Sequence, residues 1–218
     1  MSGTNGGAVK TDGTLWTWGR GNQVGPLGHN NKTDYSSPKQ LPGTDWASVQ
    51  GGWDNNMFFL KTDGTLWGVG TSPAGQLGLN AVTPSYQGYS SPVQIPGTNW
   101  AKLSAAAGFS QVSALKTDGT IWGWGDNSQG SLGLNDVANR SSPAQVPGTS
   151  WNDISAYYQS TTATKTDGTL WIWGSNSNGV LGQTQEGNPS QRSSPVQVPG
   201  SWAQGVAGFR FNLGIRQA

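Results

Sequence analysis

The sequence contains no cysteine and a single histidine, His29. The lack of thiols excludes disulfide bonds and thiolate metal sites, and one imidazole cannot form a histidine cluster. No nucleophilic triad, zinc motif or dinucleotide-binding fingerprint is present either. We therefore predict a protein that is not an enzyme and that has no cofactor and no metal site.

Charge and long apolar runs are also scarce. Asp, Glu, Lys and Arg make up 11% of the chain, the formal net charge is +1, and no basic run occurs. Nucleic-acid binding, which depends on contacts to phosphates, therefore has little support. No stretch approaches the ~20 apolar residues that a membrane-spanning helix needs. Residues 1–7 contain neither a basic nor an apolar segment, so the sequence predicts no secretory signal.

The most informative feature present is a repeat. The block Lys-Thr-Asp-Gly-Thr-(Leu/Ile)-Trp occurs four times, beginning at Lys10, Lys61, Lys116 and Lys165. A recurrence of this length indicates an array of one supersecondary unit. We predict one domain over residues 1–218, with repeats at about 8–60, 61–115, 116–164 and 165–216.

Each repeat has the pattern of short strands. In the third repeat, residues 113–116 form a short strand, and Asp118-Gly119 is typical of a hairpin turn in which glycine takes a positive φ. The strand that follows alternates between two faces, which places Trp122 and Trp124 on the same face. A glycine loop comes next, then a Ser-Ser-Pro strand and a Trp-x-x-(Val/Leu/Ile) strand. Four short strands in about 50 residues predict a propeller blade.

These motifs resemble the repeat of the regulator of chromosome condensation 1 (RCC1) family. Residues 118–133 match its Asp-Gly strand and its Gly-x-Asn-x-x-Gly-x-Leu-Gly loop nearly residue for residue, and the resemblance extends over residues 7–216. It implies an all-β propeller of four-stranded blades, with four repeats in this chain where the family typically has seven blades. The chain departs from the family at its usual histidine positions, which are here Asn56, Gln111, Ser160 and Phe211.

The last strand predicted from the sequence, residues 209–216, has no hairpin partner after it, and the first repeat begins with a truncated strand. We expect the C-terminal strand to pair beside residues 14–19. This pairing would close a four-bladed ring within one chain, join two chains into an eight-bladed ring, or link open arcs head to tail. Self-association through the terminal strands is therefore one expected interaction.

Residues locked to the repeat are predicted to be scaffold. The tryptophan pairs are interpreted as core, and the aspartates of the Thr-Asp-Gly blocks as turn residues. Partner-binding candidates lie where the repeats differ, because loops on rigid scaffolds concentrate binding residues. One set directly precedes Ser-Ser-Pro: Tyr35, Tyr89, Arg140 and Arg192. A second set follows the Trp-x-x strand: Trp53, Phe109, Tyr157, Tyr158 and Phe209. The alternative for both sets is packing between blades or at the axis.

The function predicted from these features is a structural or interaction module that presents loops to a protein partner or a surface glycan. By analogy with the range of RCC1-like proteins, the resemblance implies a virion-surface, tail or adhesion component, which the near-neutral composition would suit, and a virion or cytoplasmic location is the most compatible. The alternatives are a lectin and an exchange-factor-like propeller that binds a GTPase. Neither the basic tail nor the projecting wedge of the family's exchange factors is visible, and the longest insertion, residues 78–90, is uncharged.

Overall fold

The structure is a computed structural model that describes residues 5–22, 24–52, 55–106, 110–182, 191–208 and 211–216. These residues form strands joined by turns and loops, with one 3-10 turn at Ser177–Gly179. The strands belong to antiparallel sheets whose members are consecutive in the chain. The prediction of an all-β fold built from four-stranded antiparallel blades is confirmed.

Three of the sheets have four strands. They are flanked by a three-stranded sheet at the N-terminal end and a two-stranded hairpin at the C-terminal end. The first sheet contains β1 (Asn5–Val9), β2 (Leu15–Gly19) and β3 (Tyr35–Gln40). The second contains β4 (Trp46–Gly51), β5 (Asn56–Lys61), β6 (Leu66–Gly70) and β7 (Tyr89–Ile95). The third contains β8 (Trp100–Ala105), β9 (Gln111–Lys116), β10 (Ile121–Gly125) and β11 (Arg140–Gln145). The fourth contains β12 (Trp151–Tyr157), β13 (Ser160–Lys165), β14 (Leu170–Ser175) and β15 (Gln191–Val198). The hairpin contains β16 (Trp202–Gly208) and β17 (Phe211–Arg216).

The repeated Thr-Asp-Gly blocks form the predicted hairpin turns. In the first, the Gly13 N–H donates to the Lys10 carbonyl at 2.9 Å, and Gly13 has φ +78°. The Asp12 carboxylate accepts hydrogen bonds from the side chain of Thr14 at 2.7 Å and from its backbone N–H at 3.0 Å. These bonds lower the pKa of Asp12 below its usual value, first through the Thr14 side chain. The same bonds recur at Asp63, Asp118 and Asp167.

The tryptophans build the core, as predicted. Trp124 and Trp122 both pack against Trp100, with ring centroids 5.8 and 6.3 Å away, so the alternating pair does share one face. Trp124 is fully buried. The ammonium group of Lys116 lies 4.7 Å from the centroid of Trp100 and 4.5 Å from that of Trp122, so the repeat's lysine bridges both rings.

The first strand of each four-stranded sheet also contacts the next sheet. Gln50 of β4 donates to the Leu103 carbonyl at 2.8 Å and accepts from the Ala105 N–H at 3.0 Å. Ser104 and Ser155, at the equivalent positions of β8 and β12, accept from the N–H groups of Ala156 and Ala207. One polar side chain per sheet therefore joins successive sheets through backbone groups.

The strand pairing at the two ends of the chain differs from the predicted pairing. We predicted the C-terminal strand beside residues 14–19, but that place is held by β1, and β17 pairs with β16. The reason is that Asn5, Gly6 and Gly7 extend the truncated first strand, so that β1 pairs with β2 along its whole length. Ring closure and self-association stay predictions.

Candidate binding surface

The two ends of the sheets form different surfaces. Alternate connections of an antiparallel sheet share one end. The Thr-Asp-Gly turns therefore lie together on what we call the turn face. The opposite end, the loop face, contains the β2–β3, β4–β5 and β6–β7 connections and their equivalents in the later sheets. The loops in which the repeats differ most lie on the loop face.

The first candidate set occupies one structural position. Each member pairs with a glycine at the end of the preceding strand or one residue before it, beyond an irregularity in the register. The pairs are Tyr35 with Gly19, Tyr89 with Gly70, Arg140 with Gly125, and Arg192 with Gly174. The equivalence inferred from the sequence holds in space, whereas a role of these residues in binding stays a prediction.

Tyr35 is held by its own loop. Its hydroxyl accepts hydrogen bonds from Lys39 Nζ at 2.7 Å and Asn31 Nδ2 at 3.0 Å. These bonds, that from Lys39 first, lower the pKa of the Tyr35 phenol below its usual value. The imidazole of His29 meets the Tyr35 ring edge-on, with centroids 5.0 Å apart. The phenol is therefore positioned by three neighbours in the same repeat.

His29 has a defined hydrogen bond. The Thr17 hydroxyl donates its one proton to the Leu27 carbonyl at 2.8 Å. Its oxygen also lies 3.0 Å from His29 Nε2, so the nitrogen must be the donor in that contact. Burial lowers the pKa of His29, and Lys39 adds to the effect. The neutral tautomer with a proton on Nε2 fits these contacts.

The remaining members of the first set also have local contacts. Tyr89 is half-buried and packs against the core cluster that contains Trp124. Arg140 forms an ion pair with Asp136, four residues earlier in the same loop. The pKa of Asp136 is lowered, mainly by the Ala138 N–H and also by Arg140. A partner that uses Arg140 must therefore compete with this loop contact.

The second candidate set does not form one surface. Trp53, Phe109 and Phe209 lie outside the described residues. Tyr157 ends β12 and lines a groove of about 390 Å³ together with Gln50 and Ala105, between the first strands of successive sheets. Tyr158 has φ +53° and lines a separate cavity of about 360 Å³ with Ser160 and others. The two adjacent tyrosines thus line different cavities.

A loop-face groove that the sequence did not predict lies between the first two sheets. Its volume is about 330 Å³. Its lining residues are Arg20, Asn22, Val24, Asn55, Ser85 and Tyr86. Asn22 Nδ2 donates to Asn55 Oδ1 at 2.8 Å and so connects the two sheets across the groove.

Two exposed apolar side chains accompany the loop-face groove. Tyr86 is 67% exposed and Val82 is 65% exposed, although both are large apolar residues. They lie in the insertion at residues 78–90, which the sequence identified as the longest but from which it selected only Tyr89. The signal that could have found them is apolar residues within an otherwise small and polar insertion.

The loop face carries polar and aromatic groups that suit contacts with a partner. Among the described residues, no group of three His, Cys, Asp or Glu side chains could hold a metal ion. The loop-face groove offers amide, hydroxyl, guanidinium and aromatic groups, which are groups that recognise a partner.

In the part of the chain that the structure describes, no helix is long and apolar enough to cross a membrane.

Comparison with family models identifies the repeat. A model described as the Regulator of chromosome condensation (RCC1) repeat matches residues 12–59, 118–161 and 167–209, which together make up more than half of the chain. A second RCC1 repeat model matches residues 151–180. The second repeat, which these ranges omit, has Val69 in place of the second tryptophan and Ser72 in place of the loop asparagine. Ser72 still accepts from the Leu77 N–H at 3.1 Å, as Asn127 does from Leu132 at 2.9 Å.

Known proteins share this repeat over part of their length. The ultraviolet-B receptor UVR8 of Arabidopsis thaliana is 30% identical over 145 residues, which is 65% of this chain and 32% of the receptor. Human protein RCC2 is 30% identical over 131 residues, covering 58% of this chain and 24% of RCC2. The probable E3 ubiquitin-protein ligase HERC3 of Homo sapiens is 38% identical over 88 residues, which are 8% of its length. The chain thus aligns with a third or less of each of these relatives.

Solved structures match the fold over the whole chain. Yeast RCC1 (Prp20), in its complex with Kap60, superposes with a TM-score of 0.80 at 16% identity, covering 99% of this chain and 53% of Prp20. Human WBSCR16 gives a TM-score of 0.78 at 21% identity, covering 100% of this chain and 57% of that structure. At these identities the similarity shows the fold alone.

Proposed function

Because the chain belongs to the RCC1 repeat family, we propose that it is a non-enzymatic interaction module whose loop face binds a protein partner. The observation that carries the proposal is the exposure of Tyr86 beside the loop-face groove. Tyrosine and arginine are enriched among residues that contribute most to protein interfaces. Tyr86 and Arg20 line the same groove.

The surroundings of Tyr86 fit a partner with apolar and hydrogen-bonding groups. Val82 adds a second exposed apolar side chain on the same loop. The amides of Asn22 and Asn55 lie at the groove and offer both donors and acceptors. Among the described residues that line the groove, Arg20 is the one with a charge. We therefore expect contacts based on packing and neutral hydrogen bonds, with weak dependence on salt.

A substitution at Tyr86 tests this proposal. A partner would be isolated with the full chain by cross-linking in its source cells and then purified. Its affinity for the chain would be measured by calorimetry. We expect Tyr86→Ala to weaken binding at least about tenfold, because an interface anchor is lost.

The matched control is Pro96→Ala, an exposed apolar residue on the turn face, which should leave the affinity unchanged. Equal affinity of the Tyr86→Ala variant and the wild type would contradict the proposal. Selective binding to a glycan array, with no protein partner, would support the lectin alternative in its place.

A second candidate is regulation of a GTPase. Binding to Gsp1p and histones is reported for yeast Prp20p, which shares this fold, and the family's exchange factors act on a small GTPase. The uncharged insertion at residues 78–90 makes this the weaker candidate. A nucleotide-release assay with a small GTPase decides the matter, because an exchange factor must accelerate release.

Placement of the module on a virion surface, in a tail or in an adhesive structure is a further part of the proposal. It is supported only by the near-neutral, Cys-free composition. Particles purified from the source should contain the chain in fixed stoichiometry. Recovery of the chain solely as free protein would contradict this placement.

A further inference from the structure

Two linked asparagine side chains line the loop-face groove. Asn22 Oδ1 accepts a hydrogen bond from the Val24 N–H at 2.8 Å, and Asn22 Nδ2 donates to Asn55 Oδ1 at 2.8 Å. Because the Val24 N–H can only donate, the first bond fixes the orientation of the Asn22 amide, and the second then fixes that of Asn55. Both residues have a positive φ, 39° at Asn22 and 60° at Asn55, which asparagine tolerates better than most residues.

This arrangement gives the groove an excess of hydrogen-bond donors. Both amide oxygens already accept a bond within the protein, whereas Asn55 Nδ2 donates to no group in the described part of the chain. A side-chain amide has two N–H groups, so Asn22 retains one for a ligand and Asn55 retains both. The hydroxyls of Ser85 and Tyr86 also line the groove and can donate. The groove therefore suits a ligand that supplies acceptors.

Arg20 adds a positive charge that has no carboxylate partner among the described residues. It is exposed and lines the groove. The ion pairs of the described chain are Lys61–Asp45, Lys102–Asp153 and Arg140–Asp136. The backbone of this segment is held in place, because the Arg20 N–H donates to Asn5 Oδ1 at 3.0 Å and the Gly21 N–H to Asp34 Oδ1 at 2.7 Å. A ligand carboxylate can therefore bind the guanidinium without displacing an acid of the described chain.

The aromatic side of the groove belongs to an anchored loop. The Pro84 carbonyl accepts from the Gln87 N–H at 2.9 Å, which places Tyr86 at the corner of a turn. Just before this turn, the Thr83 N–H donates to the Ser72 carbonyl at 3.0 Å, and the Thr83 hydroxyl accepts from the Ser72 N–H at 2.8 Å. The exposed ring of Tyr86 is therefore presented by a loop with defined contacts, which reduces the entropy lost on binding.

We propose that the loop-face groove recognises a short acidic segment of a protein partner. An Asp or Glu side chain of that segment binds the guanidinium of Arg20 and the amide N–H groups of Asn55, and an adjacent apolar side chain packs on Tyr86. The segment belongs to the partner of the function proposed above, on which the inference rests, and it adds one charged contact to the neutral ones. A volume of about 330 Å³ is near the lower end of the range for ligand sites, roughly 300–1,000 Å³, and suits one short segment.

The charge of the groove favours a carboxylate over a phosphate. Phosphorylated segments are recognised by clusters of arginines, whereas Arg20 alone is charged among the described residues at the groove. One guanidinium matches the single charge of a carboxylate in a bidentate pair but leaves part of the charge of a phosphate unpaired. An acidic sugar also carries a carboxylate, but the exposed Val82 and Tyr86 favour an apolar side chain beside it.

Peptide selection on the full chain tests the proposal. A phage library of short random peptides is selected on the wild type, and one enriched peptide is synthesised both with its acidic residue and with the corresponding amide. We expect the enriched peptides to share an Asp or Glu next to an apolar residue. The acidic peptide should bind at least about fivefold more tightly than its amide form, as measured by fluorescence anisotropy.

Variants of the chain assign this preference to the groove. Arg20→Gln should bind the acidic and amide peptides equally, because the guanidinium is lost. The matched control is Lys32→Gln, which removes an exposed cation of the same loop from outside the groove lining and should keep the preference. Asn55→Asp keeps an acceptor for Asn22 but adds a negative charge, so it should weaken binding of the acidic peptide more than that of the amide peptide. Circular dichroism checks that each variant is folded, which we expect because all three side chains are exposed.

A selection that enriches no acidic residue overturns the proposal, and so does an Arg20→Gln variant that still prefers the acidic peptide. Tighter binding of a phosphoserine peptide, or binding of hyaluronan fragments in place of peptides, also overturns it and assigns the groove to another ligand. For the partner itself, a loss of affinity in Tyr86→Ala but not in Arg20→Gln contradicts the acidic segment and leaves the function proposed above intact. Unchanged affinity in both variants contradicts both.

Discussion

At the scale of residues, His29 shows how one side chain can report on the folded state. It is the one histidine of the sequence, so a stability change near neutral pH can be assigned to it. Its pKa is lowered by burial and by Lys39, which means that the folded state favours the neutral ring. The contribution of neutral His29 is therefore present above its unfolded pKa of 6.5 and is lost as the pH falls through the folded pKa.

We predict that the free energy of unfolding is constant above about pH 7 and decreases as the pH falls below 6.5. Urea unfolding between roughly pH 5 and pH 8 measures it. His29→Gln should remove this pH dependence, since an amide can keep a donor toward Thr17 and does not titrate. The turn aspartates, such as Asp12, have pKa values below their usual 3.8. Their titration therefore cannot account for a change in the free energy of unfolding between roughly pH 5 and pH 8. An identical pH profile in His29→Gln would contradict the assignment.

At the scale of elements, the sequence predicted the hairpins and their tryptophans but not the junctions between sheets. The Lys-Thr-Asp-Gly-Thr block forms its turn from local contacts alone. The hydrogen bonds of Asp12 and Gly13 in this turn are made to residues no more than three positions away. The contact of Gln50 with Leu103 spans 53 positions and leaves no local pattern. Ser104 and Ser155 occupy the position equivalent to Gln50 but are a different residue type. Their shared role in joining sheets can therefore be recognised only from the structure.

Ser104→Val tests the junction bond. The Ala156 N–H, now 2.7 Å from Ser104 Oγ, would lose its acceptor. We expect a loss of about 1–2 kcal/mol in the free energy of unfolding, as for other buried donors left without a partner. Val206 occupies the equivalent position of β16 and is 38% exposed, so Val206→Ser is the matched control with little expected effect. Equal effects of the two substitutions would show that the junction bond does not stabilise the fold.

At the scale of the whole molecule, the loop face combines residues that the sequence could and could not identify. The position shared by Tyr35 and Arg140 was found because Ser-Ser-Pro marks it in every repeat. Tyr86 was missed because its insertion has no counterpart to align with. Tyr157 and Tyr158 are adjacent in sequence, but a positive φ at Tyr158 separates their surroundings. Such a backbone change has no signature in residue type.

Stability should vary along the array, because repeat proteins gain much of it from nearest-neighbour contacts. We predict that amides in β9 and β10, which have sheets on both sides, exchange with deuterium more slowly than those in β1 and β17. Hydrogen-exchange mass spectrometry on the wild type measures the gradient. Uniform protection along the chain would contradict a nearest-neighbour array.

The glycine loops that follow β2, β6 and β10 determine how closely neighbouring sheets approach. At three junctions a Cβ on Gly25, Gly75 or Gly130 would come within 2.6 Å of the adjacent strand, so those sheets are as close there as backbone permits. The distance between these neighbouring sheets therefore depends on the absence of a side chain at one position of each loop. A side chain added at any of these three glycines would therefore push two neighbouring sheets apart as whole units, and not only disturb its own loop.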